Sequence, residues 1–209
     1  MDSQGRGSLP RGRHHLTREQ VCASQRTRLL HGMTDAVGEK GYARTSVADV
    51  LKRAHVSRET FYEHFADKHA CFISAYQMAA DRIGVLVHEA LVAGDAPLMQ
   101  RFERALVAYL GELSLDAATA RTFLLEVYAA GPSVAALRYG AQHRFAETIA
   151  GLLLEDERFR THPDPHLAGR MLVGGVASLV TGKVAMGEHA ALPGLCAPIL
   201  AHIRAVLDA

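Results

Sequence analysis

Residues 45–65, TSVADVLKRAHVSRETFYEHF, contain two helix-start signals close together and therefore restrict the fold more than any other stretch. Ser46 followed by Asp49 is typical of a capping box, in which the serine oxygen accepts a backbone N–H of the first helical turn. Ser57 provides a second cap, and Glu59 follows it in the next first turn. The stretch therefore predicts two short helices joined by a turn of about three residues.

The apolar residues of each predicted helix fall on one side. In the first helix the i, i+3, i+4, i+7 positions are occupied by Val47, Val50, Leu51 and Ala54. In the second helix Phe61 and Phe65 are four residues apart and predict a buried side. Two helices separated by so short a turn cross steeply, as in a helix-turn-helix, whose second helix lies in the major groove of DNA.

The remaining side chains of the second helix have the chemistry that DNA contacts require. Arg58, Thr60 and Ser57 lie at its amino-terminal end and suit hydrogen bonds to base edges, whose pattern differs between base pairs. Phosphate contacts, which position a protein without reading the sequence, suit Tyr62, His64 and Lys68. Any one of these residues alone also fits an ordinary solvated helix surface, so the prediction of DNA binding depends on their combination.

Several short motifs lie within about residues 17–76: Gly41-Tyr42, Thr45-Ser46-Val47, Ala54-His55-Val56-Ser57, Thr60-Phe61-Tyr62, His64-Phe65 and Lys68. Together they resemble the amino-terminal signature of the tetracycline-repressor (TetR) family of transcriptional regulators. By matched position the resemblance implies DNA contacts from Thr45, Thr60, Tyr62 and Lys68. His55 departs from the family, which usually has glycine in the turn because glycine adopts positive φ freely. With these positions, the candidate DNA-binding residues are Thr45, Ser46, Ser57, Arg58, Thr60, Tyr62, His64 and Lys68.

We predict an all-α fold with a three-helix helix-turn-helix DNA-binding domain at residues 17–66. Residues 67–209 are expected to form a larger helical domain for effector binding and dimerisation, as the TetR resemblance also implies. A helix of about 25 residues starting after Asp67 would join the two domains and act as a lever between them. Residues 1–16 are predicted to form a flexible basic arm, either an untethered tail or a segment that contacts DNA.

Four aromatic residues of the second domain lie in two predicted helices, one from Asp95 and Pro97 and one from about Asp116 to Gly131. They either fill a core or line a cavity for a small amphipathic molecule, and the family resemblance favours a cavity in this region. The candidate effector-binding residues are Phe102, Tyr109, Arg121, Phe123 and Tyr128.

A helix predicted to start at Asp164 and Pro165 has an unusual number of small residues, and those spaced by four leave one stripe nearly bare. Glycine within a helix costs about 1 kcal/mol relative to alanine, so close packing against another helix is expected. We assign this helix and the preceding one, from Ser133 to about Asp156, to a four-helix dimer interface, with packing inside one chain as the alternative. The candidate interface residues are Phe145, Leu152, Gly174, Gly175, Ser178 and Gly182.

Charge and cysteine usage limit the cellular setting of the 209-residue chain. The net charge is +1, but residues 1–70 have 12 basic and 8 acidic side chains, so the excess of positive charge lies in the predicted DNA-binding half. The three cysteines are far apart in sequence, which favours reduced thiols and a cytoplasmic location. The most apolar run, residues 171–182, is shorter than the roughly 20 residues that span a bilayer, which disfavours a membrane role.

The sequence therefore predicts a DNA-binding transcriptional regulator, a repressor that binds an inverted repeat as a homodimer and is released by a small-molecule effector. The chain contains no Gly-x-Ser-x-Gly, Gly-x-Gly-x-x-Gly or P-loop motif, so we expect neither an enzyme nor a cofactor. Its 12 histidines do not pair with cysteines at zinc spacing, which disfavours a metal sensor. The alternatives are a helical protein-interaction module and a helical protein that processes a small molecule.

Overall fold

A computed structural model of the chain describes residues 17–157 and 163–207, and all regular structure in these ranges is helical. The helices are α1 (Arg18–Lys40), α2 (Val47–Ala54), α3 (Arg58–His64), α4 (Lys68–Val92), α5 (Leu98–Leu115), α6 (Ala117–Arg121), α7 (Val127–Ala129), α8 (Pro132–Leu153), α9 (Pro165–Ala185) and α10 (Cys196–Leu207). A π-helical segment, Thr122–Glu126, joins α6 to α7, and a 3₁₀ helix, His189–Leu195, precedes α10. The all-α prediction is confirmed, and the arm predicted for residues 1–16 lies outside the described residues.

The helix starts follow the capping residues that the sequence indicates. Side-chain oxygens of six N-cap residues each accept at least one backbone N–H from the first turn of their helix, and these residues are Thr17, Ser46, Ser57, Asp67, Asp116 and Asp164. Thr17 and Ser46 form complete capping boxes with Gln20 and Asp49. Because a cap satisfies otherwise unpaired N–H groups, these residues determine where each helix begins.

Helices α1–α3, which we call the head, enclose a closely packed apolar core. Leu29 and Met33 of α1, Val50 of α2 and Phe61 of α3 are fully buried. Phe72, near the start of α4, belongs to the same cluster, and α1 packs against both α2 and α4. The head is thereby held against the first turns of α4.

Helices α4–α10 form the rest of the described structure, which we call the body. Helix α4 has 25 residues, as predicted, and is about 38 Å long at 1.5 Å per residue. It packs against α5 along its length, α8 packs against α9, and α10 packs against α5. The buried residues Ile83, Val87 and Leu91 place the second half of α4 within the body.

The head and the body also meet through α1 and α6. Gly38 of α1 lies so close to α6 that a Cβ atom at this position would be 2.4 Å from the Cα of Ala118. A side chain at Gly38 would therefore collide with backbone rather than with a movable side chain.

Two helical boundaries differ from the sequence-based expectation. The apolar spacing of residues 193–207 predicts a last helix that begins at Pro193, but this helix begins at Cys196 because residues 189–195 form a 3₁₀ helix. The single helix expected from about Asp116 to Gly131 is interrupted by the π-helical segment. Both of these segments contact other helices, and the periodicity of apolar residues in the sequence does not reveal such contacts.

Within the described residues, α4 and α9 are long and apolar enough to cross a membrane by length and composition alone. Core helices of soluble proteins pass the same test. Helix α4 is such a core helix, since it has seven buried residues. Helix α9 packs against α8 on one side and exposes several apolar side chains on another.

Candidate DNA interface and internal cavity

The turn between α2 and α3 is held by the backbone and by one long side chain. His55 ends α2 in the left-handed conformation, with φ 53° and ψ 48°, and it alone among the described non-glycine residues has positive φ. Its N–H donates to the Leu51 carbonyl at 2.9 Å. Arg28 of α1 donates to the carbonyls of Ala54 and His55 at 3.3 and 3.4 Å. His55 therefore adopts the conformation that glycine favours at this position of a helix C-terminus.

Helix α3 has one buried side and one exposed side. Phe61 is fully buried, whereas Tyr62 is 51% exposed, and the Tyr62 ring packs edge-on against the Phe61 ring at a centroid distance of 5.3 Å. Ser57 accepts the Thr60 N–H at 3.0 Å, and their hydroxyls are 2.9 Å apart. The solvent-exposed residues are Ser57, Arg58, Glu59, Tyr62 and Glu63, with Thr60 and His64 partly exposed. This exposed side presents the hydrogen-bonding groups that the major groove can accept.

Two predicted DNA-contacting residues point into the protein instead. Thr45 is 3% exposed, and its hydroxyl lies 3.2 Å from the Ala36 carbonyl and 2.9 Å from the Gly41 carbonyl. The Lys68 ammonium donates to the carbonyls of Tyr42 and Thr45, each at 2.9 Å, and lies 4.2 Å from the centroid of the Tyr42 ring. The Thr45 side chain therefore has no access to DNA, and Lys68 stabilises the loop before α2.

Ser46 is exposed, but its hydroxyl is used by the cap of α2. It donates to Asp49 Oδ2 at 2.7 Å and accepts the Asp49 N–H at 3.3 Å. A hydrogen-bonded ion pair with Lys40, followed by the hydrogen bonds from Ser46, holds the pKa of Asp49 well below its usual range. Because the pKa is lower in the folded state, this stabilisation is present above about pH 4 and is lost as the pH falls further.

The body contains a cavity of about 160 Å³. Its walls come from α4, α5, the π-helical segment, α8, α9 and α10, and they are mainly apolar. Representative lining residues are Ile83, Val87, Leu106, Val173, Ile199 and Ile203. Gly84 of α4 also lines the cavity and is exposed to solvent, and a Cβ atom there would meet nothing within 4 Å. A mainly apolar cavity with few polar groups is typical of small-molecule sites.

Three of the predicted effector-binding residues line this cavity, namely Phe102, Tyr109 and Phe123. Arg121 instead donates to Glu126 Oε1 at 3.5 Å, outside the cavity lining. Tyr128 is 44% exposed and packs edge-on against Tyr139. A π-helical turn adds one residue, which rotates the following side chains by about 100° relative to an uninterrupted α-helix. The α-helical spacing used in the prediction therefore does not hold beyond the π-helical segment.

Arg138 of α8 is the polar cavity residue that the sequence analysis missed. It is 3% exposed and lines the cavity. Its Nε donates to the Tyr128 hydroxyl at 3.3 Å, and its guanidinium carbon lies 5.1 Å from the centroid of the Phe123 ring. The sequence contains a signal for it, because Arg138 occupies the same helical face as Gln142, Phe145 and Ile149.

Two further tyrosines lie near Arg138. Burial raises the pKa of Tyr109 to about 12, although the Arg138 guanidinium acts in the opposite direction. Burial also raises the pKa of Tyr76, again opposed by Arg138. The Tyr76 hydroxyl is buried and has no hydrogen-bond partner in residues 17–157 and 163–207. Both phenols therefore stay protonated at neutral pH and can donate hydrogen bonds.

The π-helical segment contacts the cavity and the head at the same time. Phe123 lines the cavity and stacks on Tyr76 of α4 at a centroid distance of 5.5 Å and an interplanar angle of 11°. The hydroxyl of the preceding residue, Thr122, donates to the Thr34 carbonyl of α1 at 3.3 Å. The cavity wall at Phe123 and the hydrogen bond to α1 therefore lie on adjacent residues of one segment.

A second set of hydrogen bonds ties the loop before α2 to the body. Glu126, at the end of the π-helical segment, accepts the Tyr42 N–H at 2.8 Å. The Tyr42 hydroxyl lies 3.1 Å from His69 Nδ1, and His69 Nε2 lies 3.3 Å from the Ser133 hydroxyl at the start of α8. Tyr42 thus connects the head to the π-helical segment and, through His69 of α4, to α8.

Small residues leave part of α9 open. Gly174, Gly175 and Ser178 are exposed, and a Cβ atom at either glycine would meet nothing within 4 Å. Gly182 is partly exposed. The same helix exposes three large apolar residues, Leu167, Met171 and Leu179.

Two residues assigned to the dimer interface from sequence lie elsewhere. Leu152 is 7% exposed and belongs to the apolar core of the chain. Phe145 lines the cavity. Both occupy the inward face of α8, so the apolar spacing of this helix reflects packing within the chain.

The cysteines and histidines of residues 17–157 and 163–207 show no metal-binding arrangement. Cys22 is exposed, Cys71 is buried and Cys196 is partly buried, and all three are free. Burial raises the pKa of the Cys71 thiol to about 12. In the part of the chain that the structure describes, no three His, Cys, Asp or Glu side chains are grouped to hold a metal ion.

Residues 30–75, which contain the two capped helices and the exposed side of α3, match the family model of bacterial regulatory proteins of the tetR family. This part of the chain is a TetR-family amino-terminal region. A relative of the chain is the HTH-type transcriptional activator FasR of Mycolicibacterium smegmatis (strain ATCC 700084 / mc(2)155). The two are 23% identical over 155 residues, which cover 74% of this chain and 68% of FasR.

Solved structures of other regulators share the fold of this chain. The fatty acid degradation regulator FadR from Bacillus halodurans has a TM-score of 0.74 at 19% identity and covers 84% of this chain and 92% of its own. FadR from Bacillus subtilis, solved in complex with stearoyl-CoA, has a TM-score of 0.70 at 19% identity, with coverages of 83% and 95%. A TetR-like transcriptional regulator from Rhodococcus sp. RHA1 has a TM-score of 0.67 at 22% identity, with coverages of 87% and 96%.

Proposed function

We propose that this protein is a cytoplasmic TetR-family repressor that binds an inverted-repeat operator as a homodimer and is released by a small amphipathic effector. The observation that carries this proposal is the exposed side of α3. Arg58 and Tyr62 are exposed there, and Arg58 forms no ion pair within the described residues. Side chains that are already free need not break internal contacts before they bind DNA.

Base readout and phosphate contact are assigned to different residues of α3. Arg58, Thr60 and Ser57 lie in the first turn, which enters the groove first, and a bidentate arginine contact to guanine is the commonest specific contact. Tyr62 and His64 lie further along the helix and suit phosphate oxygens. Thr45 and Lys68 act indirectly, because they hold the loop before α2 in place.

The open stripe of α9 is the surface that we assign to a second copy of the chain. Gly174, Gly175 and Ser178 leave room for a facing helix to approach closely. The exposed apolar residues Leu167, Met171 and Leu179 would be removed from water by the same contact. Two heads on one dimer would face half-sites about 34–36 Å apart.

The cavity is the site that we assign to the effector. It is enclosed by helices of the body, and its Phe123 wall is continuous with the segment that contacts α1. The FadR neighbour from Bacillus subtilis was solved with stearoyl-CoA, which supports a ligand with an apolar chain here. An effector that binds more tightly to one orientation of the heads would shift the dimer toward that orientation.

The proposal is tested by selecting genomic DNA fragments with the purified protein at about 150 mM salt, where nonspecific binding is weak. A palindromic site is expected, together with a stoichiometry of two chains per site by analytical ultracentrifugation. Arg58→Ala is expected to select a site that is relaxed at one base pair, and Lys52→Ala, an exposed basic change outside α3, is the matched control that should select the same site as wild type. Enrichment of fragments without a shared sequence would contradict sited DNA binding.

Transcription in vitro from a promoter that contains the selected site decides the direction of regulation. Addition of the protein is expected to lower transcript yield, because a dimer on the operator would exclude the polymerase. The relative FasR is named an activator, so a rise in transcript yield is the outcome that would overturn repression while leaving DNA binding intact.

A further inference from the structure

We propose that the cavity binds a small aliphatic monocarboxylate, whose carboxylate is held by Arg138 and whose chain lies against the apolar walls. This inference rests on the proposed function, because it takes the cavity as the effector site. It names the class of effector as a free carboxylic acid rather than its ester or thioester.

Arg138 has a buried positive charge that no acidic side chain of the described residues balances. Its side chain is 3% exposed, and no acidic side chain in residues 17–157 and 163–207 forms an ion pair with it. The neutral Tyr128 hydroxyl and the face of the Phe123 ring are its neighbours. A buried cation without a counter-ion is unfavourable unless another anion compensates it. An anionic ligand in the adjoining cavity supplies that anion.

The hydrogen-bond donors of Arg138 and the nearby tyrosines have a geometry that suits a carboxylate. Nε of Arg138 donates to Tyr128, and the phenols of Tyr76 and Tyr109 lie close enough to the guanidinium for it to oppose the rise of their pKa by burial. A ligand here would therefore meet the two terminal nitrogens together with these phenols. A planar pair of donors matches the two oxygens of a carboxylate. The buried hydroxyl of Tyr76 lacks a partner, and Tyr109 lines the same cavity. One carboxylate therefore satisfies the guanidinium and can accept from the phenols.

The single charge of Arg138 and the volume of the cavity limit the charge and the size of the ligand. Arg138 offers one positive charge, so a monoanion is balanced whereas a dianionic phosphate is not. Residues such as Leu106, Ile199 and Ile203 line the cavity, so the remainder of the ligand must be apolar. The cavity volume of about 160 Å³ suits a short or medium-length chain.

A coenzyme A thioester does not satisfy Arg138 in this cavity. Its thioester carbonyl is uncharged, and its phosphorylated nucleotide is too large and too hydrated for a cavity of about 160 Å³. The nucleotide would stay outside, and the acyl chain that enters the cavity has no charged group. The guanidinium would then remain buried and uncompensated.

The wild-type protein provides the primary test by isothermal titration calorimetry. The probes are the linear acids from butanoate to decanoate, octanol as the uncharged analogue of octanoate, and octanoyl-CoA. At least one acid is expected to bind, with octanoate about 10- to 100-fold tighter than octanol, the range for hydrogen bonds to a charged group. Failure of every acid to bind, or octanol or octanoyl-CoA binding as tightly as octanoate, would overturn the inference.

Two variants locate the carboxylate within the cavity. Arg138→Met keeps an unbranched apolar side chain and is expected to remove the preference for octanoate over octanol. Gly84→Leu is the matched control, because its side chain enters free space beside the cavity. It is expected to weaken both ligands and to leave their ratio unchanged. Arg138→Lys retains the charge without the planar donors and should restore part of the preference.

A DNA-release assay on the selected operator separates this inference from the proposed function. If octanoate binds through Arg138 but leaves operator affinity unchanged, the ligand class stands and the effector role of the cavity fails. If the wild-type protein binds acid and alcohol equally, the ligand class fails, whether or not the operator is released.

Discussion

The exposed side of α3 and the cavity of the body hold their arginines in opposite environments. Arg58 is exposed to solvent next to other hydrogen-bonding side chains. Arg138 is buried between an aromatic ring and apolar walls. In the head, therefore, the free energy gained with DNA comes from exchanging water and counterions around charges that are already solvated. In the body it comes from compensating a charge that has been removed from water.

The two sites should therefore tolerate amino-acid substitutions differently. Substitutions on the exposed side of α3 should alter binding without altering stability, because exposed side chains contribute little to folding. Substitutions at the cavity or at the contacts between head and body should alter both. The contacts of the π-helical segment are where the two kinds of site become coupled.

The contact between α1 and α6 gives the largest predicted effect. Gly38→Ala should destabilise the protein by about 3 kcal/mol, because its Cβ would lie 2.4 Å from the Ala118 Cα, and the better helix propensity of alanine offsets only about 1 kcal/mol. Urea unfolding measures the loss. Gly151→Ala is the matched control, since its Cβ meets nothing within 4 Å, and it should be neutral or slightly stabilising. Equal stabilities for the two variants would show that head and body are not packed this closely.

The exposed side of α3 gives the next largest effect, in binding alone. Arg58→Ala should cost about 2 kcal/mol of discrimination at one base pair of the operator, whereas Tyr62→Ala should weaken binding to all sequences about equally. Competition binding with single-base operator variants measures both, and the midpoint of urea unfolding should stay unchanged. A selected site that is the same for Arg58→Ala and for wild type would remove Arg58 from base readout.

The contact between Glu126 and Tyr42 provides a test of coupling. Glu126→Ala leaves the Tyr42 N–H without its acceptor at 2.8 Å, and about 1 kcal/mol of coupling between effector and operator should be lost. Operator affinity measured with and without saturating effector gives the coupling. Glu126→Gln retains an acceptor oxygen and should behave like wild type. Undiminished coupling in Glu126→Ala would mean that the signal does not depend on this contact and travels through α4 or through the contact of Thr122 with α1.

The turn between α2 and α3 gives the smallest effect. His55→Gly should stabilise the protein by about 0.5 kcal/mol, because relief of the left-handed conformation slightly exceeds the entropy cost of glycine. Thermal unfolding of this variant and of His55→Ala measures the difference, since alanine does not relieve the conformation. A loss of stability in His55→Gly would indicate that the histidine side chain makes a stabilising contact.

The sequence alone was sufficient to predict the head. Ser46, Ser57 and Asp67 cap backbone N–H groups within three residues of their own positions, so their capping roles can be predicted from the sequence alone. The burial of Phe61 and Phe65 follows from helical spacing in the same way. The DNA contact predicted for the Thr45 side chain came from its position in the family motif. That position does not reveal that the Thr45 hydroxyl hydrogen-bonds to two nearby carbonyls inside the protein.

The cavity, in contrast, was decided by the tertiary structure. Phe102, Tyr109 and Phe123 were predicted together because they are aromatic and lie in neighbouring helices. Tyr128 was predicted with them and lies outside the lining, since the π-helical segment before it changes the phase of the helix. Arg121 was also predicted with them, but its side chain pairs with Glu126 outside the lining. A void is bounded by side chains from several helices, and its position depends on how those helices cross. Helical periodicity therefore determines which side of each helix is apolar, whereas only long-range packing determines that Arg138 is enclosed without a counter-ion.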